Sequence, residues 1–145
     1  MSPDTIFHLS NIIALLGWIF LIVISPFWFS FDKPLIGIVL ALFVLTYFWL
    51  LAQNFKFSDM EKFNTLDGVM ELFTNRIAVT TAWLHFLAFD LLAGIWIKKN
   101  AIKHGIKHWV LLPCFFFTFM IGPVGVLLYL LIRTIHTKQY FADNY

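Results

Sequence analysis

The sequence predicts an all-α membrane protein: a four-transmembrane-helix bundle with an interfacial amphipathic helix between helices 2 and 3. Three observations predict it. Hydrophobic residues make up 61% of the 145 and charged residues 12%, against roughly 45–50% and 25% in soluble domains. The mean hydropathy is +0.84, more apolar surface than a soluble unit of this size can hide, so lipid must solvate most of it. Four separate apolar runs are each long enough to cross a bilayer core, which takes roughly 20 helical residues. The runs are continuous, where a membrane strand would alternate over about ten residues, and this selects helices.

The first run extends from about Ile6 to Phe29, with Pro26 marking its end. The second extends from about Pro34 to Gln53, Pro34 standing in the first turn and Gln53-Asn54 leaving the apolar phase. The link Ser30-Phe31-Asp32-Lys33 between them is tight, which makes these helices antiparallel neighbours. The third run covers about Arg76 to Ile97 and the fourth about His108 to Ile132. Between the second and third, Phe63, Leu66, Val69, Met70 and Phe73 recur at helical spacing within Phe55–Asn75. With Ser58-Asp59-Met60-Glu61 as a capping box, that stretch predicts an amphipathic helix at the membrane surface, which Gly68 weakens. Residues 1–145 form a single integral membrane domain without an internal repeat.

Composition also excludes functions. A net charge of +2, with basic residues scattered between apolar runs, gives no nucleic-acid surface. The single cysteine, Cys114, lies in an apolar run and forms neither a disulfide nor a CxxC pair. No two histidines have metal-ligand spacing within one membrane helix, so no metal is expected, and no cofactor is indicated. Met1-Ser2-Pro3-Asp4 lacks the basic start of a signal peptide, so the first helix is expected to be retained. With four crossings, each side of the membrane carries five basic residues and the positive-inside rule ties. The acid-free lysines Lys98, Lys99, Lys103 and Lys107 of the 3–4 link favour that side as cytoplasmic.

Asp90 is the strongest chemical signal. It lies near the middle of the third helix, where a carboxylate costs roughly 2.5–3.5 kcal/mol to insert. It is expected to face the bundle interior, either as a reactive acid or as a hydrogen-bonding group that holds the bundle in register. His85 is the one histidine near that depth. Five residues put it about 140° round the helix and about 7.5 Å along it from Asp90. The two cannot pair directly, but they could border one cavity from two sides; a core histidine bonded to a carbonyl is the bland alternative. Glu71, Asn75 and Arg76 stand where the third helix begins. There Asn75 caps and Arg76 snorkels, or Glu71 and Asn75 fold over the bundle mouth as part of a site. Gly94, one turn beyond Asp90, would let another helix approach. Gly122-Pro123-Val124-Gly125 interrupts the fourth run and frees backbone groups, marking either a cavity or a packing kink. Asn11 and Trp18 share a face of the first helix, and Asn11 is either a hydrogen-bonding group or simply interfacial.

Two long stretches resemble a known family. Ala82-Trp83-Leu84-His85-Phe86-Leu87-Ala88-Phe89-Asp90-Leu91 is similar to the signature of the plant abscisic-acid-deficient-four-like family. So are His108-Trp109, Leu112-Pro113-Cys114 and Thr118 through Tyr129, and more loosely Gly68–Phe73 and Asn11 through Trp18. The plant members are chloroplast membrane proteins implicated in neoxanthin formation from the epoxy-carotenoid violaxanthin. This sequence lacks a transit peptide and looks like a bacterial relative of the inner membrane. The resemblance implies an isomerase acting on an epoxy-carotenoid-like or other isoprenoid lipid by acid/base chemistry. Carried over by position, Asp90 would be the acid or base, His85 its complement and Glu71 a polar accessory. Asn11, Trp18, Asn75, Trp83, Gly122 and Pro123 would contact the substrate. The expected partners are membrane lipids and a hydrophobic polyene, and a homo-oligomer is compatible with the sequence. A non-catalytic lipid- or pigment-binding protein is the competing expectation.

Overall fold

The computed structural model describes residues 1–27 and 32–139. Every regular element in them is helical. Six α-helices follow in order: α1 (Pro3–Ile19), α2 (Asp32–Asn54), α3 (Leu66–Leu72), α4 (Arg76–Lys103), α5 (Leu112–Ile121) and α6 (Pro123–Thr137). A π-turn, Phe20–Ile24, extends α1, and 3₁₀ segments at Phe57–Asn64 and His108–Leu111 precede α3 and α5. The predicted end of the first helix at Phe29 and half of the Ser30–Lys33 link, Ser30 and Phe31, lie outside the described residues. Within them the helix stops where the Ser25 hydroxyl turns back to Leu21 O at 2.7 Å, directly before Pro26.

Among the described residues, three helical stretches are long and apolar enough to cross a membrane: Pro3–Ile24, Ile36–Asn54 and Arg76–Lys103. α4 is the central one. It runs beside α1 with the same direction: Asp4 meets Arg76, Asn11 meets Trp83, and Trp18 meets Gly94. α2 runs the opposite way along α4, so that Tyr47 stands beside His85. Trp18, Leu21, Leu91, Ile95 and Phe115 form one part of the core, and Ala14, Phe43, Leu50 and Leu84 the other. Gly94 lets the wall close: a β-carbon there would lie 2.6 Å from the Trp18 ring.

The fourth run departs from the expected single helix over 108–132. It breaks at Gly122, whose φ of +39° and ψ of −87° place it outside the helical region. The chain then doubles back. Gly125 of α6 packs so closely on α5 that a β-carbon there would collide with Thr118 and with the Cys114 carbonyl. His108, ahead of α5, bonds Ile22 O, while Tyr129 and Arg133 of α6 both reach Asn100 near the end of α4. α5 therefore descends along the bundle only to the level of Asp90, and α6 returns to the end it came from. Ten residues of helix reach about 15 Å, half of a hydrocarbon core. Apolarity alone could not reveal this, because both arms of the hairpin are as apolar as one spanning helix.

The predicted amphipathic helix is also divided. Thr65 is extended and caps α3 through its hydroxyl, separating α3 from the 3₁₀ segment. Gly68 sits against the Lys62 backbone, where no β-carbon would fit.

Candidate functional site

A cleft of about 680 Å³ opens between the end of α2, the 57–72 segment and the first half of α4. That size lies within the range of roughly 300–1,000 Å³ that holds small-molecule ligands. His85 forms part of its wall, on the α4 face turned to α2. Its ring lies 4.5 Å from the Phe89 ring, one turn on, and 6.0 Å from Tyr47 across the gap. Among the described residues, no hydrogen-bond partner reaches either imidazole nitrogen. The ring is held by aromatic packing, with both nitrogens available to a ligand.

Lys62 stands over the polar end of the cleft. Its ammonium donates to Glu71 Oε1 at 2.9 Å and lies 3.8 Å from Asp59 Oδ1. The hydrogen bond to Glu71 and the charges of both acids hold the Lys62 pKa above its usual value. Glu71 is thus committed to positioning a cation. Asn75 lines the same cleft while its side chain caps α4, accepting from Ile77 N at 2.8 Å. Arg76 turns away and pairs with Asp4 at 3.0 Å.

The predicted site residues fall into two groups. His85, Glu71 and Asn75 come together in the cleft. Asp90, Asn11, Trp18, Trp83, Gly122 and Pro123 lie on the other side of α4, with α1 and the hairpin. Asp90 does not line the cleft that His85 lines; it points at the hairpin turn, where a β-carbon on Gly122 would stand 2.5 Å from its Oδ1. The 140° between positions 85 and 90 is the reason, because α4 is central and its faces meet different helices. The Trp83 indole donates to Asn11 Oδ1 at 2.9 Å, and Asn11 Nδ2 donates to Phe7 O at 2.8 Å. Trp18 is buried against Phe115 and Phe119. Pro123 opens α6 as its first residue.

Sequence reasoning missed Tyr47, Lys62 and Asp59, all of which line the cleft. Tyr47 had a signal: with Thr46 it brings hydroxyls into the apolar run of α2. Lys62 and Asp59 had none, since charges on an amphipathic segment ordinarily face solvent.

The model of ABA DEFICIENT 4-like proteins matches residues 5–129. The chain belongs to the ABA DEFICIENT 4-like family. Among curated proteins, Protein ABA DEFICIENT 4, chloroplastic, of Arabidopsis thaliana is 27% identical over 89 residues. That match covers 60% of this chain and 38% of the plant protein, so it spans well under half of the relative. No solved structure matches. The ABA DEFICIENT 4-like model covers α1 through the middle of α6, so the cleft and the hairpin both lie within the family region. Membership, together with three helices of membrane-spanning length, associates the protein with a membrane.

Proposed function

We propose that this chain is a multi-pass membrane protein, of a bacterial inner membrane, that rearranges an epoxide-bearing polyene or related isoprenoid lipid in the cleft beside His85. The observation that carries this reading is the His85 imidazole, packed among aromatic rings with no hydrogen-bond partner at its nitrogens among the described residues, in a cleft sized for a ligand. Family membership supplies the carotenoid context. The 57–72 segment, with Phe57, Met60, Phe63, Leu66 and Met70 exposed, lies on the membrane surface and roofs the cleft.

Opening an epoxide to a cumulated diene needs a base at carbon and a proton for oxygen. His85 takes the proton from the carbon next to the epoxide. The electron pair left behind forms the new double bond as the adjacent C–O bond breaks. The Tyr47 hydroxyl protonates the departing oxygen, and imidazolium returns a proton to the tyrosinate, so substrate and product are isomers. Holding the imidazole and the phenol on facing helices beside one substrate is what makes each transfer effective. Lys62, fixed by Glu71 and Asp59, offers a cation to a hydroxyl or oxygen at the polar mouth of the cleft.

The test is expression in a carotenoid-producing host with pigments compared between wild type, His85→Asn and Tyr47→Phe. The reading expects a new isomeric pigment with wild type, and at least a hundredfold less with His85→Asn, in line with the usual 10²–10⁴ of general acid–base catalysis. A pigment that co-purifies unchanged with wild type would instead make the protein a pigment binder.

A further inference from the structure

We infer that the protein carries a cationic rim that seats on the anionic headgroups of the cytoplasmic leaflet, with the α5–α6 hairpin dipping into the bilayer from that side. The hairpin decides the charge count. A fourth crossing would place Arg133 and Lys138 on the side of Lys56, Lys62 and Arg76. Because α6 turns back, those two residues instead join Lys33, Lys98, Lys99, Lys103 and Lys107. Seven of the ten basic residues then lie at one end of the bundle and three at the other. The contacts at that end fix the assignment: Arg133 meets Asn100, Lys98 meets Ser25 O, and His108 meets Ile22 O.

Acids are distributed the other way. Asp4, Asp59, Glu61, Asp67 and Glu71, five of the eight, stand at the end that bears the cleft. Basic residues flanking short links set membrane orientation, and clustered ones near the surface attract anionic lipid. Lys33, Lys99, Lys103, Lys107 and Lys138 are all exposed at the rim. Lysine ammoniums are compact point charges suited to phosphate oxygens, and the bundle's own helices already lie in the bilayer, which brings lipid headgroups within reach of them. The turn at Gly122 does not need water: it is buried, its amide bonds Thr118 O at 2.9 Å, and its carbonyl accepts from Gly125 N at 3.2 Å. Non-helical backbone at membrane depth is tolerated where protein buries it in this way.

This places the cleft at the opposite leaflet, where, on the reading given above, a polyene with a polar end would approach it. Orientation itself needs no activity to be measured. The experiment uses the full chain in bacterial membranes, with Asp67→Cys, Lys103→Cys and Lys138→Cys made singly; Cys114 is fully buried and serves as the internal blank. A membrane-impermeant maleimide is applied to spheroplasts and to inverted vesicles. Asp67→Cys should label in spheroplasts, and Lys103→Cys and Lys138→Cys only in inverted vesicles. Labelling of Lys138→Cys from the same side as Asp67→Cys would mean that the hairpin crosses, and would overturn the topology. Reversal of all three would overturn the orientation. The lipid preference is read separately by native mass spectrometry of protein released from nanodiscs of mixed phosphatidylglycerol and phosphatidylcholine. Wild type should retain phosphatidylglycerol adducts that Lys103→Gln, Lys107→Gln and Lys138→Gln together reduce to the phosphatidylcholine level. Equal retention of both lipids by wild type would overturn the headgroup assignment.

Discussion

Asp90 faces Gly122 at the tip of the α5–α6 hairpin, so close that the missing side chain of the glycine is the space its carboxylate occupies. Two independent constraints meet at that glycine. Its φ of +39° is one that residues with a β-carbon rarely adopt, and any β-carbon would run into Asp90 Oδ1. The carboxylate also lies beside the start of α6, where the helix dipole favours negative charge.

Gly122→Ala should therefore destabilise the protein markedly. Backbone strain of this kind costs on the order of 1–3 kcal/mol, and the steric clash adds to it. Asp90→Gly in the same chain should recover part of the loss by removing the clash while leaving the φ strain. Thermal unfolding in detergent of the two single variants and the double variant measures the coupling. Strictly additive losses would show that the contact is unimportant.

The bond from the Trp83 indole to Asn11 ties α1 to α4 near one membrane surface. Interhelical hydrogen bonds in membranes are worth about 0.6–2 kcal/mol. Trp83→Phe keeps the ring that packs on Phe7 and removes only the donor. It should lower stability by roughly that amount, measured by unfolding in mixed micelles, with Asn11→Ala giving no further loss in the Trp83→Phe background.

How much of this was legible in the sequence depended on the kind of signal. Continuous apolar runs revealed the three long helices, because burial in lipid demands apolar residues whatever the partner. The mid-helix position of Asp90, the capping role of Asn75 and the burial of Cys114 followed from local position and type. The hairpin did not follow, since an apolar arm that turns back has the same composition as one that continues. Gly122-Pro123 marked the break but not its angle. Nor did the division between His85 and Asp90: helix geometry separated them by angle, but only the packing of α2 on one face and the hairpin on the other gave them different surroundings. The hydroxyls of Thr46 and Tyr47 in an apolar run signalled a polar position, but the contact with His85 that puts Tyr47 in the cleft lies between helices.

The Lys62–Glu71 contact joins the 3₁₀ segment to α3 and should weaken in alkaline buffer. The Lys62 pKa is raised, chiefly by the hydrogen bond to Glu71. Its stabilisation is therefore fully present below the ordinary lysine value of about 10.4 and is lost as pH rises through the folded value. Because Lys62 is solvated, the effect is small. Proteolysis of the 57–72 segment should be flat near neutrality, should accelerate modestly in strongly alkaline buffer, and should already be modestly faster at neutral pH in Lys62→Gln. A segment equally protected in Lys62→Gln would show that the contact does not hold the roof.

Phe89 supports the ring of His85 from one turn further along α4. Phe89→Ala should loosen the imidazole without removing it, giving a modest loss of conversion with substrate binding largely kept. Phe89→Leu, which restores apolar bulk, should recover more of it. Pigment turnover and pigment retention by the purified variants separate the two effects.

The most direct measurement of where the chemistry sits is the conversion of an epoxide-bearing polyene by purified protein in nanodiscs, comparing wild type, His85→Asn and Asp90→Asn, each shown to be folded by its thermal transition. If the chemistry sits in the cleft, wild type gives an isomeric product that Asp90→Asn retains and His85→Asn loses at least a hundredfold. Loss of product with folded Asp90→Asn, and its persistence with His85→Asn, would contradict the account and move the reaction to the hairpin tip.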